Sequence, residues 1–203
     1  FGFNSLESSA AVTRWSLGGT LAQVGAVSHF DAADGLSSRA TYASDVIAPA
    51  EGGSGYILVG QSEAPGAEGA LANSTYAWIG KTNVGLNELE WSELHGEAQS
   101  FSFYHRFGPV AYDATLDGYV VAGTRALDYQ LEYHDVWTAH LSSSGSLMGE
   151  ALYGGGGDQV LVDGAALSTG LALAAHKTQA NEFVPYAAWL IRTDVQGESC
   201  SEP

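Results

Sequence analysis

Gly55-Tyr56-Ile57-Leu58-Val59-Gly60, followed by Ala77-Trp78-Ile79-Gly80-Lys81, decides the fold because the chain repeats it. Gly118-Tyr119-Val120-Val121-Ala122-Gly123 precedes Val136-Trp137-Thr138-Ala139-His140, and Gly170-Leu171-Ala172-Leu173-Ala174-Ala175 precedes Ala188-Trp189-Leu190-Ile191-Arg192. The leading glycine stands equally far from the tryptophan in the second and third copies, and farther in the first. Self-similarity with a period of roughly 50 residues marks a repeated supersecondary unit.

Working outward, each unit reads as four strands. Tyr56–Val59 and Tyr119–Ala122 are short β-branched or aromatic runs, the signature of a buried strand. The tryptophan segment supplies the next strand. A turn ending in glycine follows: Thr82–Gly85, Ser142–Gly145 and Asp194–Gly197. Glycine tolerates the positive φ of a tight hairpin. Beyond the turn come Leu89–Leu94 and Leu147–Tyr153. A fourth strand, such as Val110–Ala114 or Val160–Val162, leads to the next glycine. The N-terminus enters this template midway. Gly19 aligns with the turn glycines, Arg14 joins the column Lys81, His140 and Arg192, and Leu21–Val27 takes the strand after the turn. No amphipathic helical pattern interrupts the series.

These residues resemble the β-propeller repeats of secreted bacterial proteins. The carriers are the glycine-aromatic-aliphatic-glycine run, the small residue and tryptophan, the basic residue before a glycine turn, and the Tyr153–Asp158 run. The resemblance covers roughly Ala11 to Gly197. It departs at Ala175, which stands where Gly60 and Gly123 stand, and in the long segments Ala64–Ser74 and Gln99–Phe107. It implies an all-β fold of antiparallel four-stranded units, about three to four blades, forming either a small closed ring or part of a larger propeller. It implies architecture and no particular activity.

The 203 residues suffice for one domain with a core. The reading is a single β-repeat domain over 1–198 with a tail at 199–203. It divides into a partial unit 1–35, units 36–98 and 99–157, and a partial unit 158–198. The chain starts at Phe1 and not at methionine, which reads as processing or trimming. Twenty-three acids against 7 Lys+Arg give a net charge of −16. That balance excludes a nucleic-acid partner, which needs a basic footprint, and opposes docking on an anionic membrane. No apolar run approaches the roughly 18 residues of a membrane span. The acidity suits an extracellular or cell-surface protein. Cys200 is the single cysteine, and Asn73-Ser74-Thr75 fits a glycosylation sequon.

The recurrent residues read as structural. Trp78, Trp137 and Trp189 each supply one large ring per unit for packing between sheets. Gly55, Gly118 and Gly170 open the second strand. Trp91 lies outside the tryptophan column and is a candidate ligand contact. Tyr104, Tyr129 and Tyr133 are the others, in loops at unit ends. Of the six histidines, His29 and His95 stand equally far past their turn glycines. Zinc needs three or four converging ligands, and no motif here supplies them. Asp31 and Asp34 are weak candidates for calcium, lacking the alternating ligands of a built loop. No catalytic residue is singled out: Gly53-Ser54-Gly55 lacks the spacing of a nucleophile elbow, and no phosphate loop is present.

The expected function is therefore a non-catalytic extracellular scaffold for binding or adhesion, with a protein or glycan ligand and no cofactor. Loops Ala64–Ser74, Gln99–Phe107 and Asp128–His134 would form its contact surface. Two alternatives stand beside it. One is a glycan-active hydrolase with paired carboxylates at the propeller mouth. The other is a structural subunit that assembles through open sheet edges and is completed by partner chains.

Overall fold

The computed structural model describes residues 10–12, 15–17, 21–23, 28–30, 41–47, 55–63, 75–85, 88–96, 105–115, 117–126, 134–154, 157–177 and 187–194. All of them are strand, turn or connecting residues, with no helix. Near the N-terminus, β1 (Ala10–Val12) pairs with β4 (Ser28–Phe30), and β2 (Trp15–Leu17) pairs with β3 (Leu21–Gln23), both antiparallel. The β2–β3 pair brackets Gly19, where the repeat template places a turn.

Three larger sheets follow. The first runs in the order β5 (Thr41–Ile47), β6 (Tyr56–Glu63), β7 (Thr75–Thr82), β8 (Leu89–His95). The second runs β9 (His105–Asp113), β10 (Gly118–Ala126), β11 (His134–Ser142), β12 (Leu147–Tyr153). The third holds β13 (Gln159–Leu167), β14 (Gly170–Lys177) and β15 (Ala187–Arg192). Every neighbour is antiparallel and consecutive in sequence. Gln99–Phe107, expected as a loop, is corrected at its end. β9 begins at His105, and Phe107 is fully buried with its ring stacked 4.8 Å from that of Trp137. The reason is packing: the aromatic ring fills the space between the first and second sheets.

The sheets stack face against face. β9 lies on β5, β6 and β7, and β13 lies on β9, β10 and β11. The interval between the first and second sheets is filled by Ile57, Val59, Ala77 and Ile79 from one side. Phe107, Val121, Trp137 and Leu141 meet them from the other. Between the second and third, Val120, Ala122 and Val136 meet Leu161, Leu171, Leu173 and Ile191. Leu58 and Trp78 are buried on the opposite face of the first sheet. Successive side chains in a strand point to opposite faces. A sheet covered on both sides therefore needs a continuous apolar run, which is the pattern of β6 and β10.

The tryptophans share one register. Trp78 pairs with Gly60, Trp137 with Gly123 and Trp189 with Ala175. A directly opposite residue of an antiparallel pair shares its face, so glycine or alanine there leaves the ring room. The leading glycines answer a second constraint. A Cβ at Gly55, Gly118 or Gly170 would overlap the carbonyl oxygen of Thr82, Leu141 or Thr193 respectively. Each of those carbonyls stands at the same place after its tryptophan. Gly55 and Gly170 also hold φ of 103° and 135°, where a side chain is strained.

A third recurrence lies in the ladders. Registers shift between Ala43 and Asp45, between the partners of Val121 and Gly123, and between Leu161 and Asp163. Each inserts one residue into the first strand of its sheet at the level of the tryptophan's small partner. A bulge there bends the strand and raises its twist.

Trp137→Ala is expected to lower stability by about 3–5 kcal/mol, the range for emptying a large aromatic site. Gly55→Ala is expected to cost about 1–3 kcal/mol or more from backbone conformation alone. Denaturant unfolding of the purified chain checks both. Equal losses for Trp137→Ala and for an exposed substitution such as Val84→Ala would contradict the packing described.

Candidate functional site

The expected site residues fall into three groups. Trp78 and Trp137 are buried, and Trp189 is packed against the core between the second and third sheets. Trp91, read as a ligand contact, is half-buried and packs against the first core cluster. A Cβ on Gly145 would sit 2.6 Å from its ring, so the β11–β12 turn rests on the indole. Tyr104, Tyr129, Tyr133, Asp31 and Asp34 lie outside the described residues. Among the described residues, no three His, Cys, Asp or Glu side chains gather as a metal would need. The basic column has no common role. Lys81 pairs with Glu90 at 2.7 Å, His140 faces Asp113, and Arg192 reaches Thr169 Oγ1 at 3.3 Å.

Among the described residues, a polar cluster gathers on β10, β11 and β12 of the second sheet. The Arg125 Nη1 group donates to both Glu150 carboxylate oxygens, at 3.0 and 2.9 Å. Trp137 Nε1 donates to Glu150 Oε2 at 3.0 Å, and the guanidinium lies 5.5 Å from the indole centroid. Register explains this. Glu150 stands opposite Ala139, two residues beyond Trp137 on the same face. A carboxylate there can reach the indole N–H and a cation from β10 together. Cation–π contact adds roughly 0.5–2 kcal/mol, depending on desolvation.

His95 extends the cluster across the interface. Its Nε2–H donates to the Gly145 carbonyl at 2.9 Å, joining β8 of the first sheet to the β11–β12 turn of the second. Its ring lies 5.7 Å from Phe107. The turn is built for this. Gly145 holds φ at 86°, its N–H bonds Ser142 O at 2.9 Å, and Ser146 N bonds Ser142 Oγ at 3.1 Å. Burial pushes the His95 imidazole below the ordinary value of 6.5. The Gly145 bond and the Glu93 and Glu150 carboxylates oppose that shift without cancelling it.

A second polar pair lies deeper. Asp113, at the end of β9, accepts Thr115 N–H at 2.8 Å through Oδ1 and so caps its turn. Its Oδ2 faces His140 Nε2 at 3.7 Å, too long for a hydrogen bond. Beside this pair is a cleft of about 180 Å³, lined in part by Tyr112, Asp113, Thr115 and Ser168. The Tyr112 hydroxyl donates to Asp117 Oδ1 at 2.7 Å, which favours the neutral phenol and raises its pKa.

Sequence reasoning missed two contacts that couple the second and third sheets. Asp158 Oδ1 accepts from His134 Nδ1 at 2.7 Å and from the His134 backbone N–H at 2.9 Å. Thr124 Oγ1 accepts from buried Leu161 N–H at 3.1 Å. The signal for the first was present: Asp158 closes the Tyr153–Asp158 run. Gly154 in that run is required because the Asp135 carboxylate occupies the space of a Cβ. The second had no sequence signal, since it exists only once the sheets are stacked.

In each four-stranded sheet the second and fourth strands run in the same direction. The connection from second to third strand and the exit of the fourth strand therefore share one end. The joins 64–74 and 127–133, and the exits after His95 and Tyr153, all belong to that end of their sheets. The His134–Asp158 bond ties this end of the second sheet to the same end of the third. Among the described residues, no helix is long and apolar enough to cross a membrane. No protein-family model matches this chain, and no curated protein matches its sequence. The chain is an all-β repeat protein of stacked antiparallel sheets.

Two measurements follow from this geometry. His95 accepts a proton less readily folded than unfolded. Its contribution is whole above the unfolded value of about 6.5 and is lost as pH falls below it toward the lower folded value. The stability gap between wild type and His95→Gln is expected to narrow from pH 7.5 to 5, read by thermal unfolding at each pH. A constant gap would mean the imidazole is not buried. Glu150→Ala removes the acceptor that the Arg125 guanidinium and the Trp137 indole N–H share, so it is expected to cost about 1–3 kcal/mol. Glu90→Gln breaks a surface pair and is expected to cost at most about 1 kcal/mol. Equal costs would contradict the cluster.

Proposed function

We propose that this protein is a non-catalytic, propeller-like scaffold, extracellular or on a cell surface, that binds a protein or glycan ligand with the loops along one rim of its stacked sheets. The observation that carries the reading is the shared end of the long joins 64–74 and 127–133 and of the β8–β9 connection. A repeated rigid frame that brings several long connections to one end is suited to recognition, because loops vary while the frame holds them. Further support comes from the use of the chain's polar side chains. Arg125, Glu150, His95, His134 and Asp158 hold sheets and turns together. Tyr129 and Tyr133 give the 127–133 segment the amphipathic rings favoured in contact surfaces. The net charge of −16 favours a neutral or cationic ligand.

The test is a screen of immobilised glycans and extracellular-matrix proteins, with and without calcium. Tyr129→Ser and Tyr133→Ser are expected to weaken any binding found while leaving the thermal midpoint unchanged. No binding under any condition, or binding indifferent to changes in 64–74, 97–104 and 127–133, would remove this reading.

A further inference from the structure

One sheet face breaks the pattern of the other two. The positions two and four after the leading glycine, and those flanking the tryptophan, point toward the following sheet. In the first sheet they are Ile57, Val59, Ala77 and Ile79, all fully buried. In the second they are Val120, Ala122, Val136 and Thr138, again buried. In the third they are Ala172, Ala174, Ala188 and Leu190. The first two are half-buried, Ala188 is exposed and Leu190 is 81% exposed. Val162, in the bulge of β13, is 61% exposed beside them. The face forms a shallow apolar groove of about 420 Å³ over Ala165, Ala172 and Ala174, with Leu190 at one wall. The same repeat positions that bury completely elsewhere are here in water.

We propose that this face is a self-association surface, and that its occupant is a second copy of this chain packed third sheet to third sheet about a two-fold axis. Three observations lead there. The face continues the established inter-sheet interfaces, being built from the same repeat positions, so it is shaped for another sheet. Among the described residues, the opposite faces of all three sheets are already covered, with Trp78, Trp137 and Trp189 in contact with core. The described residues therefore offer this face only its own counterpart. The third observation is charge. Asp163 on β13 and Arg192 on β15 flank the groove on its two outer strands. A two-fold axis along β14, midway between the faces, sets β13 of each copy over β15 of the other. Asp163 lies level with Ala174 and Arg192 with Ala172. The offset is roughly 7 Å along the strand, within the reach of an arginine side chain. Each acid then meets the cation of the other copy, and the opposing Leu190 lies at the level of Asp163, where the neighbouring Ala165 and Ala174 leave it room. An isologous contact of this kind closes at two chains. This inference is independent of the loop-rim reading and survives its failure.

The experiment is a concentration series by light scattering and sedimentation on the 203-residue chain under reducing conditions, which keeps Cys200 from cross-linking. The expected result is a reversible dimer of twice the 21.1 kDa chain mass. Leu190→Asp, which sets a second acid against Asp163 of the other copy inside the contact, is expected to weaken association at least about tenfold. Arg192→Asp alone is expected to weaken it as well, by setting acids against Asp163, and the combination with Asp163→Arg is expected to restore it. That rescue sets each acid against the cation of the other copy, as the two-fold requires. Open-ended assembly overturns the proposal, because it requires a head-to-tail contact. So does a dimer unaffected by Leu190→Asp. A monomer at every concentration also overturns it, and thiol labelling of Leu190→Cys in a Cys200→Ser background then says what the face does instead. Fast labelling leaves the face in water, and protection assigns it to the chain's own remaining residues.

Discussion

The stacking of sheet on sheet is the constraint from which the other features follow. A sheet with one wet face can alternate apolar and polar residues. A sheet buried on both faces cannot, and β6 and β10 accordingly carry the continuous apolar runs Tyr56–Gly60 and Tyr119–Gly123. Between stacked sheets the wide indole takes its room from the partner residue on the preceding strand. The tryptophan therefore stands opposite glycine in two sheets and alanine in the third. Phe107, on β9 at the other side of Gly123, then stacks on Trp137 across the glycine and closes the layer.

Polar residues serve the same stacking in different ways at equivalent positions. In the second sheet the indole N–H finds Glu150. In the first, the residue at that register is Ser92, opposite Gly80, and the Trp78 ring lies across the glycine. The column is common, but the way its ring is held is local. The same holds for the basic column, whose three described members meet a surface glutamate, a buried aspartate and a threonine. Repetition in a sequence thus marks a shared backbone position. It does not by itself mark shared chemistry, and the cation column forms no common anion site.

Much of the frame was legible because its causes are local. β12 covers the run Leu147–Tyr153 read from the sequence, and β8 covers Leu89–Leu94 with one residue added. Apolar runs bounded by glycine turns need no tertiary information to be recognised as strands. The start of β9 was not legible. His105 and Arg106 give the start of the strand no apolar run, and only the space beside Trp137 makes a core residue of Phe107. The packing of Trp91 was not legible for a similar reason. Its burial depends on the β11–β12 turn of another sheet, far away in sequence.

The sequence by itself determined the strand class, the antiparallel order, the turn glycines and the tryptophan register. These depend on side-chain size, backbone freedom and alternation within one unit. Only the tertiary structure decided which face each residue meets, because that requires the neighbouring sheet. It placed the bulge in each first strand, the His95–Gly145 and His134–Asp158 links, and the Glu150 cluster. It also exposed Leu190 where Ile79 and Thr138 are buried. The unit repeats, so its sequence looks the same everywhere. Burial depends on what stands next to the unit, and the third sheet has nothing described against its outer face.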